Sequence, residues 1–500
     1  MQARPIRFLH RQQTVSLPEV EPTRTVLEWL REDAGCTGTK EGCGEGDCGA
    51  CCVVVAELEG PAGAERVRWR SINSCIRFVS SLDGCALWTV EDLASPQDGL
   101  HPAQQAMVDC HGSQCGFCTP GFVMSMFALY QQRVAGAEPQ RITREVAQEA
   151  LSGNLCRCTG YRPIVEATQT MPGYPLRGVD ETALLQQLRA LRDGDGTGLQ
   201  AGATLRPRHL QELLALREAR PDAQLIAGCT DVGLWVTKQH RRFASTLDVT
   251  GVHELQQVIE GPGQLEIGAA VRLSDAYAAL VARWPQLRTF ANRFAGLPVR
   301  ESGTLGGNIA NGSPIGDSMP LLIALGARVR LQSRRGAREL ALEDLYLGYR
   351  QTAMASDEVL THVLLPLHPP PGLLQAYKLS KRFDDDISAV CLALAVTLHA
   401  GRVQQVRIGV GGMAATAARA PQTEAALQGQ AWDEATVRAA MAVLRREFDP
   451  LSDMRASAAY RREAASGLLW RFWLESQGIG PLRVEQLTLA TLQPAAGGVT

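Results

Sequence analysis

The segment Cys43–Cys51, CGEGDCGAC, constrains this chain more than any other stretch. Its cysteines follow the C-x4-C-x2-C spacing of a plant-type loop around a 2Fe–2S cluster: Cys43, Cys48 and Cys51. The interleaved glycines permit tight turns that direct thiolates toward one small inorganic core. A fourth ligand must come from elsewhere, and Cys75 in NSCIRF is the best-placed candidate. A zinc ion is the rival to an iron–sulfur cluster at this site, because the number of thiolates alone does not distinguish the two. The simplest alternative is four buried cysteines that are unrelated to one another.

A second group of four cysteines follows. Cys115 and Cys118 form C-x2-C in HGSQCGFCTPG, and Cys156 and Cys158 form C-x-C in GNLCRCTGYRP. Both pairs lie at the ends of predicted helices, next to Gly and Pro that let the backbone bend. Four thiolates from two helix ends suit a second 2Fe–2S cluster, with a structural zinc as the alternative. We expect the remaining cysteines of this region to be small buried residues or spares: Cys36, Cys52, Cys85 and Cys110.

Charge and hydropathy exclude several classes of protein. The net charge of -2 gives no basic excess for a nucleic acid or an anionic membrane. The longest apolar run, AVCLALAVTL, is too short to cross a bilayer and predicts a buried strand. The opening residues, MQARPIRFLHRQQTV, show no apolar leader, so we expect reduced, metal-holding thiols in a cytoplasm.

The order of predicted elements divides the chain. A hairpin, an amphipathic helix, the cysteine loop and a β-branched strand come first, and helical patterns follow from about residue 85. A Gly-, Asp- and Pro-rich stretch then predicts a linker. The predicted parts are a ferredoxin-like domain (1–84), a helical domain (85–165), the linker (166–197), a nucleotide-binding domain (198–368), a C-terminal domain (369–480) and a flexible tail (481–500).

Two glycine-bearing turns stand in the nucleotide-binding part, QLIAGCTDVG (224–233) and ESGTLGGNIANGSPIGDSMPLLIAL (301–325). Glycines let backbone amides approach a diphosphate, and a helix beginning after Asp317 would add its dipole. Neither turn matches G-x-G-x-x-G or a Walker motif, so each alone is typical of an ordinary turn. Two such turns behind two redox clusters favour a flavin, which collects single electrons and releases them in pairs.

With both cysteine groups and both turns in place, roughly residues 5 to 475 resemble the family of xanthine dehydrogenases and other molybdenum hydroxylases. The resemblance is closest to the iron–sulfur and flavin subunit of enzymes built from two chains. It implies an α+β multidomain fold with a β-grasp 2Fe–2S domain, a helical 2Fe–2S domain and an FAD-binding domain of the molybdenum-hydroxylase flavoprotein type. A C-terminal α+β subdomain would complete it.

The resemblance also implies ligands, residue by residue. Cys43, Cys48, Cys51 and Cys75 would hold the ferredoxin-like cluster, and Cys115, Cys118, Cys156 and Cys158 the cluster nearer molybdenum, with Gln114 beside the pterin. FAD would contact Leu225, Ile226, Ala227, Gly228, Cys229, Thr230, Asp231, Val232, Phe294, Thr304, Gly306, Gly307, Asn308, Asp317, Leu360, Lys378 and Asp386. Cys229 departs from relatives in the family, which carry Asn there. The segment KLSKRFDDD, a solvated turn on its own pattern, matches a family loop that affects NAD access.

The implied activity is that of an oxidoreductase subunit with no catalytic residue of its own. A molybdenum-bearing partner would oxidise xanthine or hypoxanthine to urate, in a heterotetramer of two pairs. Electrons would pass through two 2Fe–2S clusters to FAD and then to NAD. The alternatives are the equivalent subunit of an aldehyde or N-heterocycle hydroxylase, and a zinc-stabilised scaffold without redox function.

Overall fold

The computed structural model describes residues 2–60, 63–97, 99–136, 138–192, 198–368, 372–383 and 385–479. The predicted tail at 481–500 and the end of the predicted linker at 193–197 lie outside these ranges. The chain forms two compact units, and the first comprises Met1–Ser313, Ala327–His368 and Lys381–Ile387. The second comprises Pro314–Gly326, Pro369–Ser380 and Ser388–Thr500. None of the helices in the described ranges is long and apolar enough to cross a membrane.

The first module of unit one is a five-stranded mixed sheet packed on one helix. Its strands, in spatial order, are Gln13–Leu17, Ile6–His10, Ala86–Trp88, Cys52–Glu59 and Arg66–Asn73. The helix Val26–Glu32 begins at a capping box, because Thr25 and Glu28 satisfy each other's backbone amides, and it buries Val26, Leu27 and Leu30. The expected hairpin, helix and buried strand are therefore confirmed.

Helices form the second module. They are Pro102–Asp109, Thr119–Arg133, Arg144–Ala150 and Arg162–Thr170. The predicted N-cap Thr143 is confirmed, since its side chain accepts a hydrogen bond from the Val146 amide. A further helix, Glu181–Arg192, lies within the stretch predicted as a linker. Its Leu184, Leu188 and Leu191 belong to the same hydrophobic core as Thr119–Arg133, which ties the stretch to this module.

The third module of unit one contains two five-stranded sheets and a two-stranded ribbon. One sheet runs Gln2–Ala3, Leu199–Ala201, Thr204–Arg206, Thr246–Asp248 and Gln224–Ile226; the other runs Val258–Gly261, Gln264–Gly268, Val359–Pro366, Arg328–Ser333 and Gly336–Ala341. The ribbon pairs Tyr346–Gly348 with Gln351–Thr352. The helices are Leu210–Ala219, Val232–Thr237, Leu273–Arg283, Arg288–Asn292, Leu297–Arg300 and Leu305–Asn311.

Unit two is an antiparallel sheet covered by helices. Its strands are Leu373–Leu379, Val390–His399, Arg402–Gly411 and Ala418–Arg419, and its helices are Ser318–Ala324, Pro421–Leu427, Glu434–Glu447 and Ala458–Ser476. The apolar run AVCLALAVTL forms the buried strand that its pattern predicts. Helix Ser318–Ala324 joins this unit because Gly409 leaves room for the Pro320 backbone, where a Cβ would lie 2.0 Å from the Pro320 oxygen.

Candidate functional site

The thiols of the first cysteine loop and of Cys75 contact one another. The sulfur atoms of Cys51 and Cys75 lie 3.2 Å apart. The Cys43 thiol is hydrogen-bonded by the thiols of Cys48 and Cys75, which lowers the pKa of Cys43. The amides of Glu45 and Cys48 also lie 3.4 Å from the Cys43 sulfur. Backbone N–H groups directed at sulfur favour a thiolate, and thiolates are what metals bind.

The second cysteine group also forms pairs. Contacts with the Phe117 amide and with the Cys158 thiol lower the pKa of Cys115. The contact between the two thiols raises the pKa of Cys158. Burial and a hydrogen bond to Cys156 raise the pKa of Cys118 to about 12. Cys118 is the N-cap of helix Thr119–Arg133, which places this pair at a helix end as the sequence predicts.

Each group supplies the donors that a 2Fe–2S cluster requires. Such a cluster takes four thiolates, two at each iron, and each group brings four cysteine thiols close together.

The remaining cysteines fit the expectation of small buried residues in part. Cys36, Cys52 and Cys85 are buried, and Cys110 is half-buried. Burial raises the pKa of Cys85 to about 11, which keeps it a neutral thiol.

The two cysteine loops contact each other through their backbones. The backbone amide of Leu155, the residue before Cys156, donates a hydrogen bond to the Cys48 carbonyl at 3.0 Å. One hydrogen bond therefore links Cys48 to the second cysteine loop. Gly49 permits this approach, because a Cβ there would lie 2.2 Å from the Gly153 oxygen.

The first loop also contacts the glycine turn at 224–233. A Cβ on Gly233 would lie 2.4 Å from the carbonyl oxygen of Ile76, the residue after Cys75. Leu234 packs on the cluster formed by Leu27, Cys51, Cys75 and Ile76. On the same helix, Lys238 donates to the Cys43 carbonyl at 2.5 Å. The thiol pairs and the turn are therefore neighbours within unit one.

The two predicted flavin turns pack against each other. Gly228 has φ +95°, and a Cβ there would lie 1.9 Å from the Ser302 oxygen. Thr304 caps helix Leu305–Asn311 by accepting the Gly307 amide at 3.0 Å. A Cβ on Gly307 would approach the Ala227 Cβ to 2.9 Å. The predicted residues Leu225 to Val232 and Thr304 to Asn308 thus form one continuous wall.

This wall carries donors and an acceptor that fit a ligand. Within the part of the chain that the structure describes, the amides of Gly228, Cys229 and Thr230 donate no backbone hydrogen bond. The Oδ1 of Asn308 is buried and has no hydrogen-bond partner among those residues. Successive amides in a turn form a concavity for anions, and a buried oxygen without a donor indicates a missing partner. The donor set fits a dinucleotide such as FAD.

Gly306 of this wall and the predicted flavin residues Phe294 and Leu360 pack against the protein core. Gly306 lies against Ala269, where a Cβ would come within 2.6 Å of the Ala269 backbone. The Phe294 ring packs 5.4 Å from the Tyr277 ring, and Leu360 is buried within its strand. Cys229 has φ +69°, a left-handed conformation that Asn adopts more readily than Cys.

Asp317 and Lys378 bind each other within unit two. The Lys378 ammonium lies 2.8 Å from the Asp317 carboxylate, and Ser388 donates to the same carboxylate at 2.5 Å. Both charged side chains are buried. The sequence does not reveal this ion pair, because the two residues lie 61 positions apart.

Asp386 is bound within its own loop. Its carboxylate accepts the Arg382 amide at 2.8 Å and the Ile387 amide at 3.0 Å. The preceding Phe383 carbonyl accepts from Arg293 at 2.8 Å, beside Phe294. The charged loop is therefore anchored to the segment that contains one predicted flavin residue.

An apolar groove opens beside the second cysteine group. It encloses about 340 Å³ and is lined by Val90, Leu100, Gln104, Met107, Val108, His111, Ser113, Thr119, Pro120 and Val123. Val108 is 57% exposed and Phe117 46%, so large apolar side chains face solvent here. Gln114, Cys115 and Cys158 are exposed on the same surface.

Sequence reasoning missed three residues that shape these sites. Lys238 contacts the first loop, Asn154 joins the two loops, and Arg70 is buried among carboxylates. Asn154 stands two positions before Cys156, and this proximity was the only signal available.

Four family models match the chain in succession. They are the 2Fe-2S iron-sulfur cluster binding domain (residues 8–80), the [2Fe-2S] binding domain (89–169), the FAD binding domain in molybdopterin dehydrogenase (199–368) and the CO dehydrogenase flavoprotein C-terminal domain (375–476). The expected fold class, two 2Fe–2S domains followed by an FAD-binding domain and its C-terminal subdomain, is confirmed.

Curated relatives match most of the chain. Xanthine dehydrogenase of Drosophila subobscura is 33% identical over 91% of this chain. Xanthine dehydrogenase/oxidase of Gallus gallus is 30% identical over 91%, and xanthine dehydrogenase 1 of Arabidopsis thaliana is 32% identical over 92%. The chain spans 38% to 39% of the length of these relatives.

Solved structures match about half of the chain. A Cu,Mo-CO dehydrogenase chain is 28% identical with a TM-score of 0.51, over 54% of this chain and 94% of that one. Quinoline 2-oxidoreductase of Pseudomonas putida 86 is 26% identical with a TM-score of 0.51, over 55% of this chain and 96% of that one.

Proposed function

The chain is an iron–sulfur and flavin oxidoreductase of the molybdenum hydroxylase family, and from this premise we propose that it is the electron-transfer and NAD-reducing subunit of a xanthine dehydrogenase. Electrons would leave a molybdenum centre on a partner chain, pass both cysteine groups singly and reach NAD through the flavin site. FAD, when bound, supplies the change from one-electron to two-electron chemistry. The chain's own residues hold, space and bury these groups. We place the protein in the cytoplasm, where free thiols stay reduced.

One observation carries this proposal: the three sites form a continuous series of backbone contacts within unit one. The Leu155 amide joins the second cysteine group to Cys48, and Ile76 joins the first group to Gly233 on the flavin turn. A scaffold stabilised by separate zinc ions has no need of this order, whereas an electron relay depends on it.

The thiol contacts support the assignment of ligands. Cys43, Cys48, Cys51 and Cys75 would hold the first cluster, because Cys43 contacts both Cys48 and Cys75 and Cys75 also contacts Cys51. In the second cluster, Cys115 would share an iron with Cys158, and Cys118 with Cys156.

For FAD, the wall from Leu225 to Val232 and from Thr304 to Asn308 supports a diphosphate site on the free amides of Gly228 to Thr230. Asn308 would supply the buried acceptor. Phe294, Leu360 and Gly306 would act by packing behind the site. The pair of Asp317 and Lys378 remains a proposed flavin contact. Asp386 would act by fixing the charged loop beside which NAD approaches.

The molybdenum-bearing partner is proposed to cover the groove at His111–Pro120. Exposed Val108 and Phe117 offer apolar area, and exposed Gln114 and Cys115 offer polar contacts to a pterin. The carbon monoxide dehydrogenase and quinoline oxidoreductase chains match nearly end to end, which supports a division of the enzyme between chains. Two such pairs would form the heterotetramer.

Two assays on the purified chain test the proposal. We expect NADH-dependent dye reduction by the chain alone, because this needs flavin and clusters only. We expect xanthine-dependent NAD reduction only after the molybdenum-bearing partner is added. Xanthine oxidation by the molybdenum-free chain, or zinc in place of iron, would contradict the proposal.

A second candidate is the equivalent subunit of an aldehyde or N-heterocycle hydroxylase. The match to quinoline 2-oxidoreductase favours it, since that name specifies an N-heterocycle. Comparing the assembled complex on xanthine, an aldehyde and quinoline separates the candidates: the xanthine proposal predicts turnover of xanthine above the other two.

A further inference from the structure

The side chain of Asn154 is buried between the two cysteine loops, with 4% of its surface exposed. Its Nδ2 donates to the Gly49 carbonyl at 3.2 Å and to the Cys52 sulfur at 3.4 Å. Its Oδ1 accepts from the Ser125 hydroxyl at 2.7 Å. A carbonyl oxygen can only accept, so the contact with Gly49 fixes which way the amide points.

The contacts of Asn154 reach every element that borders the junction. Gly49 and Cys52 flank the ligand candidate Cys51 in the first loop, and Ser125 lies on helix Thr119–Arg133. The Ser125 hydroxyl oxygen in turn lies 3.3 Å from the Ser71 hydroxyl oxygen, on the strand that leads to Cys75. A buried polar network with its members satisfied specifies one arrangement of the groups it joins.

Glycines bring the backbones at this junction into direct contact. A Cβ on Gly121 would lie 2.1 Å from the Gly49 carbonyl oxygen. A Cβ on Gly49 would lie 2.5 Å from the side-chain nitrogen Nδ2 of Asn154. These positions have no side chains to hold the loops in register. Asn154 supplies that hold directly beside the hydrogen bond from Leu155 to Cys48.

We propose that Asn154 is a positioning residue for electron transfer between the two cysteine loops, holding the Cys48 carbonyl against the Leu155 amide. The inference rests on the proposed function, because it requires a cluster in each loop. In the step that it serves, one electron leaves the reduced cluster of the helical module and reduces the cluster of the first loop. No bond or proton is exchanged. Tunnelling weakens steeply with distance, so a loosened junction slows the step.

The test substitutes Asn154→Leu, which keeps the branched shape of the side chain and removes all three hydrogen bonds. Iron content and both electron paramagnetic resonance signals are expected to persist. The magnetic splitting between the two reduced clusters should weaken, and electron transfer between them should fall by about 10- to 100-fold, as for other residues around metal ligands. Thr143→Ala is the matched control, because it removes a helix cap from the same module at a distance from the junction.

Unchanged splitting and an unchanged rate in Asn154→Leu would overturn the role of Asn154. If that variant does not fold, Ser125→Ala decides, since it removes the hydroxyl that holds the Asn154 amide oxygen, together with its contact to Ser71; a normal splitting there would also overturn the role. Iron analysis of the unmodified chain tests the proposed function separately. Full iron with unchanged coupling in the variant contradicts the positioning role alone.

Discussion

At the residue scale, His101 shows how burial can make a helix cap sensitive to pH. Its Nδ1 accepts the Ala103 amide at 3.1 Å and its Nε2 lies 3.1 Å from the Arg177 carbonyl. The ring must be neutral to accept and donate at once. Burial lowers the pKa of His101 to about 4, from an ordinary value of 6.5.

The sign of the pH effect follows from that shift. Because the folded-state pKa is lowered, the unfolded chain binds the proton more readily, and stability falls as pH drops from about 6.5 toward 4. The full shift corresponds to about 3 kcal/mol. We predict that His101→Asn, which keeps an N-cap acceptor, shows a flatter fall in melting temperature from pH 7 to pH 5. Parallel curves for both proteins would contradict this account.

Thr304 provides the residue-scale prediction for the flavin site. Removing its hydroxyl in Thr304→Ala costs a helix cap of about 1 kcal/mol and frees the Gly307 amide. We expect the dissociation constant for FAD to rise about fivefold, measured by flavin fluorescence. Thr143→Ala removes a comparable cap away from the flavin wall and should leave FAD binding unchanged. Equal affinity in both variants would exclude the cap from the site.

Residue spacing predicted the two cysteine groups because loop ligands are close in sequence. It could not predict which thiols pair, since Cys51 meets Cys75 only when strand Arg66–Asn73 returns beside Cys52–Glu59. It also could not assign Gly306, whose neighbour Ala269 follows strand Gln264–Gly268 and is distant from Gly306 in sequence. A glycine-rich turn indicates a close approach without naming the group that approaches.

At the element scale, one buried arginine joins the first module to the third. Arg70 lies on strand Arg66–Asn73, and its guanidinium contacts Glu57 at 2.6 Å, Asp275 at 2.8 Å and also Glu301. Although burial opposes it, the carboxylates of Glu301 and Glu57 raise the pKa of Arg70. Although partial burial opposes the shift, Arg272 and Arg70 lower the pKa of half-buried Glu57 to about 2.

We predict that Arg70→Met lowers the free energy of unfolding by about 3 to 5 kcal/mol, because it leaves the buried Glu301 carboxylate without its Arg70 partner. Arg335→Met is the control, since Arg335 is 68% exposed in its pair with Asp357 and such pairs contribute about 1 kcal/mol or less. Urea denaturation of both variants measures the difference. Equal losses of the free energy of unfolding in the two variants would show that Arg70 contributes no more than an exposed ion pair.

Periodicity predicted the hairpin, helix and buried strand of the first module and the helical character of the second, because alternation and helical spacing are local properties. It did not assign Glu181–Arg192 to the helical module, because the apolar side chains of this helix pack into a core formed by residues distant in sequence. The segment Pro314–Gly326 joins unit two although the chain on both sides belongs to unit one. Such exchanges depend on contacts distant in sequence.

At the scale of the whole molecule, backbone contacts set the order of the three sites in the proposed electron relay. The second cysteine group adjoins the first through Leu155, and the first adjoins the flavin turn through Ile76. Each link is short because glycines remove the side chains between the sites. The sites are therefore expected to exchange electrons with one another and not to act separately.

Counting electrons in an anaerobic reductive titration of the purified chain tests this claim most directly. The account predicts about four electrons per chain, one for each 2Fe–2S cluster and two for the flavin. Limiting NADH should bleach the flavin and produce both cluster resonance signals together, because the three sites equilibrate. A capacity of about two electrons confined to the flavin, or clusters that NADH leaves oxidised, would contradict the relay.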